Sequence, residues 1–421
     1  MLKTASIIKT IGELIQDTRR ALNLTITQLS ELSGINKSTI SRIESSEIKR
    51  PDFSTLKSLV TALDIPYETL VDYYVEDEKR TDLLFDILHA TILRRSSIEL
   101  IRKVAAKYLE APNGDSLDLT EMLYQHIGSI EDTSIRLSLY SLIIDHSRSH
   151  GIMPYIAKGL YQQYLIERND FSKLKETYYS GKYILNYMDF LPQLEKIELY
   201  YKLGIHALSL KLFQESIEHC KNVLVHGDGP YKVHALGVLR DAYFGLGEYK
   251  ESELYSIQYK QFDYPHIREN TLLMEALINA RQGRVDLSVQ QLSSFIEKCS
   301  SDYVVPATNQ LLRLYLQRKD LEQAGRLIES GGIDPSFLTQ SNPLVRSRYA
   351  DHLQLKGEYY LAVGEPEKGI SYLLDGAMEY SKINDTIEEK KCLNMVVNYH
   401  LGNNISMNKG TLEQLGAYFT T

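Results

Sequence analysis

Tryptophan is absent from the 421 residues, and there are only three cysteines. Cys220, Cys299 and Cys392 are far apart, odd in number and free of metal-ligand spacing, which argues against a disulfide framework or a zinc knuckle. Buried thiols in a reducing compartment are expected instead. Apolar runs of membrane-spanning length are missing too. The stretch from Met1 to Leu22 is amphipathic and broken by Lys9, Glu13, Asp17 and Arg19, so it reads as a helix and not as a secretory leader. A cytoplasmic location with no membrane association is the expectation. Alternating β-branched residues are absent as well, and from Leu83 onward Pro and Gly act as punctuation between stretches of helical period. The expected fold class is all-α.

Catalytic signatures are equally scarce. There is no phosphate-binding Gly-Lys-Ser/Thr loop, no dinucleotide glycine fingerprint, no zincin His-Glu pair and no nucleophile-elbow serine. His219 beside Cys220 reads as core packing on a repeat helix. The adjacent carboxylates Glu388 and Glu389 diverge on a helix and read as a solvated surface. No enzyme activity, cofactor or metal is expected.

What is present is organised around Leu24 to Pro51. Leu29, Leu32, Ile35, Ile40 and Ile43 mark two short amphipathic helices meeting at Gly34, with Thr25 and Asn36 as caps. The second helix then offers a hydrogen-bonding face, Asn36, Lys37, Ser38, Thr39, Ser41 and Arg42. Ile8, Ile11, Ile15 and Leu22 predict a helix packed behind this pair. Phe53, Leu56, Leu59, Val60 and Leu63 predict a fourth helix, and Pro66 opens a fifth through Leu70 to Tyr74.

Net charge is −8, which speaks against a general nucleic-acid coat. The first fifty residues run the other way, with Lys3, Lys9, Arg19, Arg20, Lys37, Arg42, Lys49 and Arg50 against Glu13, Asp17, Glu31, Glu44 and Glu47. A basic head on an acidic body suits local reading of DNA.

Gln28-Leu29-Ser30, Gly34-Ile35-Asn36, Ser38-Thr39-Ile40-Ser41-Arg42-Ile43-Glu44 and Lys49-Arg50-Pro51 together resemble the phage-repressor (Cro/C1-type, or XRE) DNA-binding domain over roughly Ile8 to Tyr74. The resemblance implies a second helix lying in the major groove. Carried over by position, Lys37, Ser38, Ser41 and Arg42 face bases. Thr25, Thr39, Lys49 and Arg50 face phosphates.

The expected boundaries are a head over residues 1–72, a charged hinge or connecting helix over 73–82, and a repeat region over 83–421, clearest at 155–380. Phe213, Tyr249, Val285 and Leu321 recur at a constant interval of 36 residues, each after a short turn. Phe171 and Pro366 fit the same template with longer connections. Small residues follow three positions later, at Ser216, Ser252, Ser288, Ala324 and Gly369. These units resemble divergent tetratricopeptide repeats, which implies a right-handed superhelix of helical pairs whose first helices line the inner wall.

Side chains that donate and accept there suit the backbone amides of an extended peptide. Gln163, Lys232, Asp241, Asn270, Arg281, Asn309, Arg313, Asp351 and Asn398 are the peptide-facing expectations. The order of parts resembles the peptide-pheromone regulators of Gram-positive bacteria and their phages (the Rap/Rgg/NprR/PlcR/PrgX superfamily), with the arbitrium receptors as a related branch. That resemblance implies a homodimer that binds a palindromic double-stranded DNA operator and a short signalling peptide. The alternative from the same resemblance is a repeat scaffold that binds and sequesters a response regulator or other signalling protein.

Overall fold

The computed structural model describes residues 10–227, 229–262, 264–331 and 343–420. The described residues are helical throughout with no strand among them, as expected of an all-α chain. The chain forms two compact units that divide between Gln163 and Tyr164.

The first unit opens with five helices, α1 Ile11–Ala21, α2 Ile26–Ser33, α3 Lys37–Glu44, α4 Phe53–Ala62 and α5 Tyr67–Tyr74. Each start has a local cause. Thr10 and Glu13 form a reciprocal capping box on α1, and Thr25 and Gln28 form another on α2. Gly34 ends α2 at φ 71°, a left-handed position that a side chain would strain. Asn36 and Asp52 cap α3 and α4 through their side-chain oxygens. Ile15, Leu29, Ile40, Ile43, Leu56, Leu59 and Leu70 close one core, each contributing roughly 1.5–3 kcal/mol by burial.

Two residues expected in that core are exposed. Leu22 is the C-terminal cap residue of α1, already beyond the buried stripe, and Leu32 sits in the last turn of α2, whose core contact is made by Leu29. Ile8, Lys3 and Lys9 lie outside the described residues.

The charged stretch after α5 forms a turn. Glu78 receives the Arg80 guanidinium at 2.8 Å and the Lys79 and Arg80 amides, which hold its carboxyl down to about 2. The helix α6 Thr81–Leu93 follows, then α7 Ile98–Leu109, α8 Ser116–Ile127, α9 Thr133–His150 and α10 Met153–Glu167. Lys103 on α7 lies 2.6 Å from Asp72 and 2.7 Å from Glu76.

In the second unit a 3-10 turn, Phe171–Lys173, leads into α11 Leu174–Tyr183, and a second, Ile184–Phe190, follows it. Helical pairs then stack: α12 Gln193–Ser209 with α13 Phe213–His226, α14 Gly229–Leu246 with α15 Tyr249–Tyr259, and α16 Pro265–Arg281 with α17 Val285–Ile296. They continue as α18 Ser301–Gln317 with α19 Leu321–Ser330, α20 Pro343–Ala362 with α21 Pro366–Ser381, and α22 Thr386–Gly402 with α23 Lys409–Thr420.

The 36-residue period has a physical basis at three positions. Phe213, Tyr249, Val285, Leu321 and Pro366 each open the second helix of a pair. Two residues earlier the chain adopts positive φ in every case, at Lys211, Gly247, Gly283, Lys319 and Gly364, which reverses the chain between helices. Three residues later the small side chain meets the preceding helix. Ser216, Ser252 and Ser288 are fully buried and donate to the carbonyls of Gly204, Arg240 and Ala276 at 2.8, 2.9 and 2.8 Å. Ala324 packs in a cluster with Leu312 and Leu355. At Gly369 the helices approach so closely that a Cβ on Gly357 would lie 3.0 Å from the Gly369 carbonyl oxygen.

The ends of this array meet. Leu174, Phe171 and Leu210 share one apolar cluster with Ala350, Ala377, Tyr380, Ile383 and Cys392. Lys211, in the turn before α13, lies 2.8 Å from Asp385 and 3.2 Å from Glu388 at the start of α22. Glu388 and Glu389 are therefore not a merely solvated surface: Glu389 accepts the Tyr418 hydroxyl, and Glu388 joins two lysines. His219 is buried against the Tyr178 hydroxyl at 3.0 Å beside the fully buried Cys220.

Candidate functional site

The head presents a polar helix on a fixed support. Ile40 and Ile43 anchor α3 in the core, so Lys37, Ser38, Ser41 and Arg42, spaced one turn apart in two pairs, share the exposed face. Behind it α1 comes so near that a Cβ on Gly12 would lie 2.2 Å from the Ile43 carbonyl oxygen. Arg19 of α1 clamps Glu44 at the end of α3 with two parallel bonds, 2.7 and 2.6 Å, and donates a third to the Leu24 carbonyl at 2.8 Å. Both partners are buried. Removing either would leave the other charge desolvated, so α3 is held in one orientation.

Around that face, Thr25 is exposed but its hydroxyl is engaged by Gln28 at 2.9 Å. Thr39 is half-buried, and Lys49 and Arg50 are exposed on the loop leading to the buried Pro51. Arg42 makes an exposed contact with Glu47 at 3.5 Å, a pair weak enough for the guanidinium to exchange it for a base edge.

In the second unit a cavity of about 410 Å³ opens on the face made by the first helices of the pairs, the expected inner wall. It is lined by first-helix residues of successive pairs: Arg281 from α16, Pro306, Asn309, Gln310 and Arg313 from α18, Ser347, Arg348 and Asp351 from α20, and Glu388 and Lys391 from α22, with Lys211 and Tyr380. Four of the nine peptide-facing expectations, Arg281, Asn309, Arg313 and Asp351, meet here. Lys232 and Asn398 are exposed elsewhere on α14 and α22, and Asp241 is held by the buried Arg240 at 2.6 Å. Asn270 is half-buried near Tyr303, and Gln163 is half-buried at the end of the first unit.

Most of the cavity's polar groups are already committed to one another. Asn309 is buried, donates to the Arg348 carbonyl at 2.7 Å and accepts from His352 at 2.9 Å. Burial works against the Arg313 guanidinium, but the charge and hydrogen bond of Asp351, with the charges of Glu358 and Tyr380, together leave its pKa above the usual value. Burial opposes ionisation of Glu388, but Lys211 and Lys391 hold its pKa below normal. Arg348 and Lys211 were not expected here from sequence. The one available signal was that Arg348 stands three residues before Asp351, one helical turn away.

Residues 15–70 match the family model described as Helix-turn-helix, so the head is a helix-turn-helix domain. Over 60 residues the chain is 42% identical to an uncharacterized HTH-type transcriptional regulator, RghRB, of Bacillus subtilis (strain 168), covering 14% of this chain and 43% of that protein. It is 39% identical over 64 residues to the HTH-type transcriptional repressor RghR of the same organism, covering 15% of this chain and 47% of the relative. The chain thus spans less than half the length of the curated relatives it matches. Among solved structures it is similar to PlcR of Bacillus thuringiensis, in complex with the peptide PapR7 and DNA, at 17% identity and a TM-score of 0.22, over 64% of this chain and 99% of that one. Among the described residues no helix is long and apolar enough to cross a membrane.

Proposed function

We propose that the chain is a cytoplasmic, dimeric transcriptional regulator whose helix-turn-helix head binds a palindromic operator and whose repeat array receives a short peptide that changes operator affinity. The observation that carries the reading is the pairing of a rigid, polar-faced α3 with a ligand-sized cavity on the inner wall of the helical array. The bidentate Arg19–Glu44 bond fixes α3 at a cost that a merely solvated helix would not require. The cavity falls within the size range of ligand sites and is lined by convergent polar groups.

Gating follows from population shift. A peptide that binds one state of the array more tightly than another by a few kcal/mol moves the equilibrium, and operator affinity moves with it if the two states differ at the DNA. The test is an operator selected from random duplexes by the full chain, titrated with and without synthetic peptides derived from small reading frames beside the gene. A peptide-dependent change in operator affinity is expected. The same affinity with every peptide would refute gating, and failure to enrich any duplex would refute operator binding.

A further inference from the structure

In a chain of net charge −8, the residues lining the inner-wall cavity are mostly cationic: Lys211, Arg281, Arg313, Arg348 and Lys391 stand beside Asp351 and Glu388, and Lys211 also meets Asp385. The carboxylates are already taken, Asp351 by Arg313 and Glu388 by Lys211 and Lys391. That leaves Arg281 and Arg348. Among the described residues neither guanidinium has a hydrogen bond or an ion pair within the protein, although the Arg348 carbonyl is used by Asn309. Arg281 is exposed, with the Phe244 ring 6.0 Å away. Arg348 is half-buried, and loss of water pulls its pKa below the usual arginine value although the charges of Asp241, Tyr303 and Asp302 act to raise it. Arg348 thus offers five N–H donors with no acceptor among the described residues, and a carboxylate or phosphate matches that fork geometrically.

We infer that Arg348, with Arg281 across the same cavity, is an oxyanion-binding subsite that takes a carboxylate of the peptide. Asn309 supports it from below, since its bond to the Arg348 carbonyl and its acceptance of the His352 proton fix the backbone from which Arg348 projects. A carboxylate on a peptide and free inorganic phosphate share this chemistry, and the test separates them. The inference rests on the peptide-receptor reading above.

Three synthetic random hexapeptide libraries distinguish the outcomes by affinity selection on the full chain: one without Asp or Glu and with a free C-terminal carboxylate, one with Asp and Glu and a C-terminal amide, and one neutral. At least one carboxylate-bearing library is expected to be retained roughly tenfold or more over the neutral one. Arg348→Gln and, separately, Arg281→Gln should abolish or sharply reduce that preference, while Arg348→Lys should keep part of it. Because the Arg348 guanidinium makes no bond within the described residues, R348Q should retain the wild-type circular dichroism and melting temperature. Equal retention of the neutral library, or an unchanged preference in both glutamine variants, overturns the subsite but leaves the peptide reading standing. If the wild-type chain retains no library, the peptide reading fails, and phosphate decides the subsite. A melting temperature raised by phosphate over chloride of equal ionic strength, in the wild type but not in R348Q, supports an oxyanion site for free phosphate, and an equal or absent shift overturns it.

Discussion

Arg42 and Lys49 are both exposed cations of the head, but they stand on different supports. Arg42 projects from a helix clamped by a buried bidentate bond, whereas Lys49 lies on a loop. A guanidinium held in register can read the acceptor pair of a guanine, while a lysine on a loop supplies charge without register. Arg42→Ala should therefore weaken operator binding by roughly 1–3 kcal/mol and relax base preference. Lys49→Ala should weaken binding to all duplexes and flatten the salt dependence by about one charge. Titrating both variants on operator and random DNA at several salt concentrations checks this, and equal losses on both DNAs would contradict it. The clamp itself predicts non-additivity. Glu44→Leu alone strands the Arg19 charge and should destabilise the head by about 3–5 kcal/mol, while the double change Arg19→Met, Glu44→Leu should recover most of the loss. Hydrogen exchange of the α3 amides in the full chain reads this directly, and a double variant no better than the single one would refute it.

The five turns that precede Phe213, Tyr249, Val285, Leu321 and Pro366 divide into three glycines and two lysines that share the same left-handed backbone. Lys319 is exposed, so Lys319→Gly removes a strained conformation and little else, and should stabilise the second unit by up to roughly 1 kcal/mol. Lys211→Gly relieves the same strain but leaves the largely covered Asp385 without its cation and Glu388 with Lys391 alone. It should destabilise, and urea midpoints shifting in the same direction for both variants would contradict the argument. These turns also mark how far the sequence could be read. The repeat was legible because its period is fixed by local events, a reversal, a helix start and a small residue against the preceding helix, each recurring every 36 residues. The helix-turn-helix was legible for the same reason, since Thr25, Gly34 and Asn36 act on their own neighbours. What was not legible depends on partners far away in sequence. Nothing near Lys211 announces Asp385, nothing near Arg19 announces Glu44, and Arg348 becomes distinctive only once the cavity's other charges are seen to be spent on one another. Leu22 and Leu32 mislead for the opposite reason, because a short helix can carry more apolar residues than its packed face has room for.

Across the molecule, buried histidines couple stability to acidity. His206 bonds the Leu174 carbonyl at 2.8 Å and faces the Tyr164 hydroxyl at 3.3 Å, and His352 bonds Asn309 at 2.9 Å. Burial drives each of these, and His146 at 2.8 Å from Ser116 in the first unit, down to about 4. Folding therefore favours neutral rings, whereas the unfolded chain takes up protons near pH 6.5. Stability is full above that value and is lost as pH falls from 6.5 toward 4. The loss at pH 5 is on the order of 1–2 kcal/mol for each of His206 and His352, and smaller for His146, which stands nearer solvent. The paired carboxylates act in a lower window: Glu388, held below its usual value by its lysines, contributes stability above about 4.5 that disappears only at more acidic pH. Urea midpoints should thus decline between pH 7 and 5, before those carboxylates titrate. His352→Gln, which can keep an amide donor toward Asn309 without taking up a proton, should make the decline shallower in the second unit while leaving the first unit's slope unchanged. A midpoint that is flat from pH 7 to 5 would show that the buried rings do not carry the acid response, and a decline unaffected by His352→Gln would remove His352 from it.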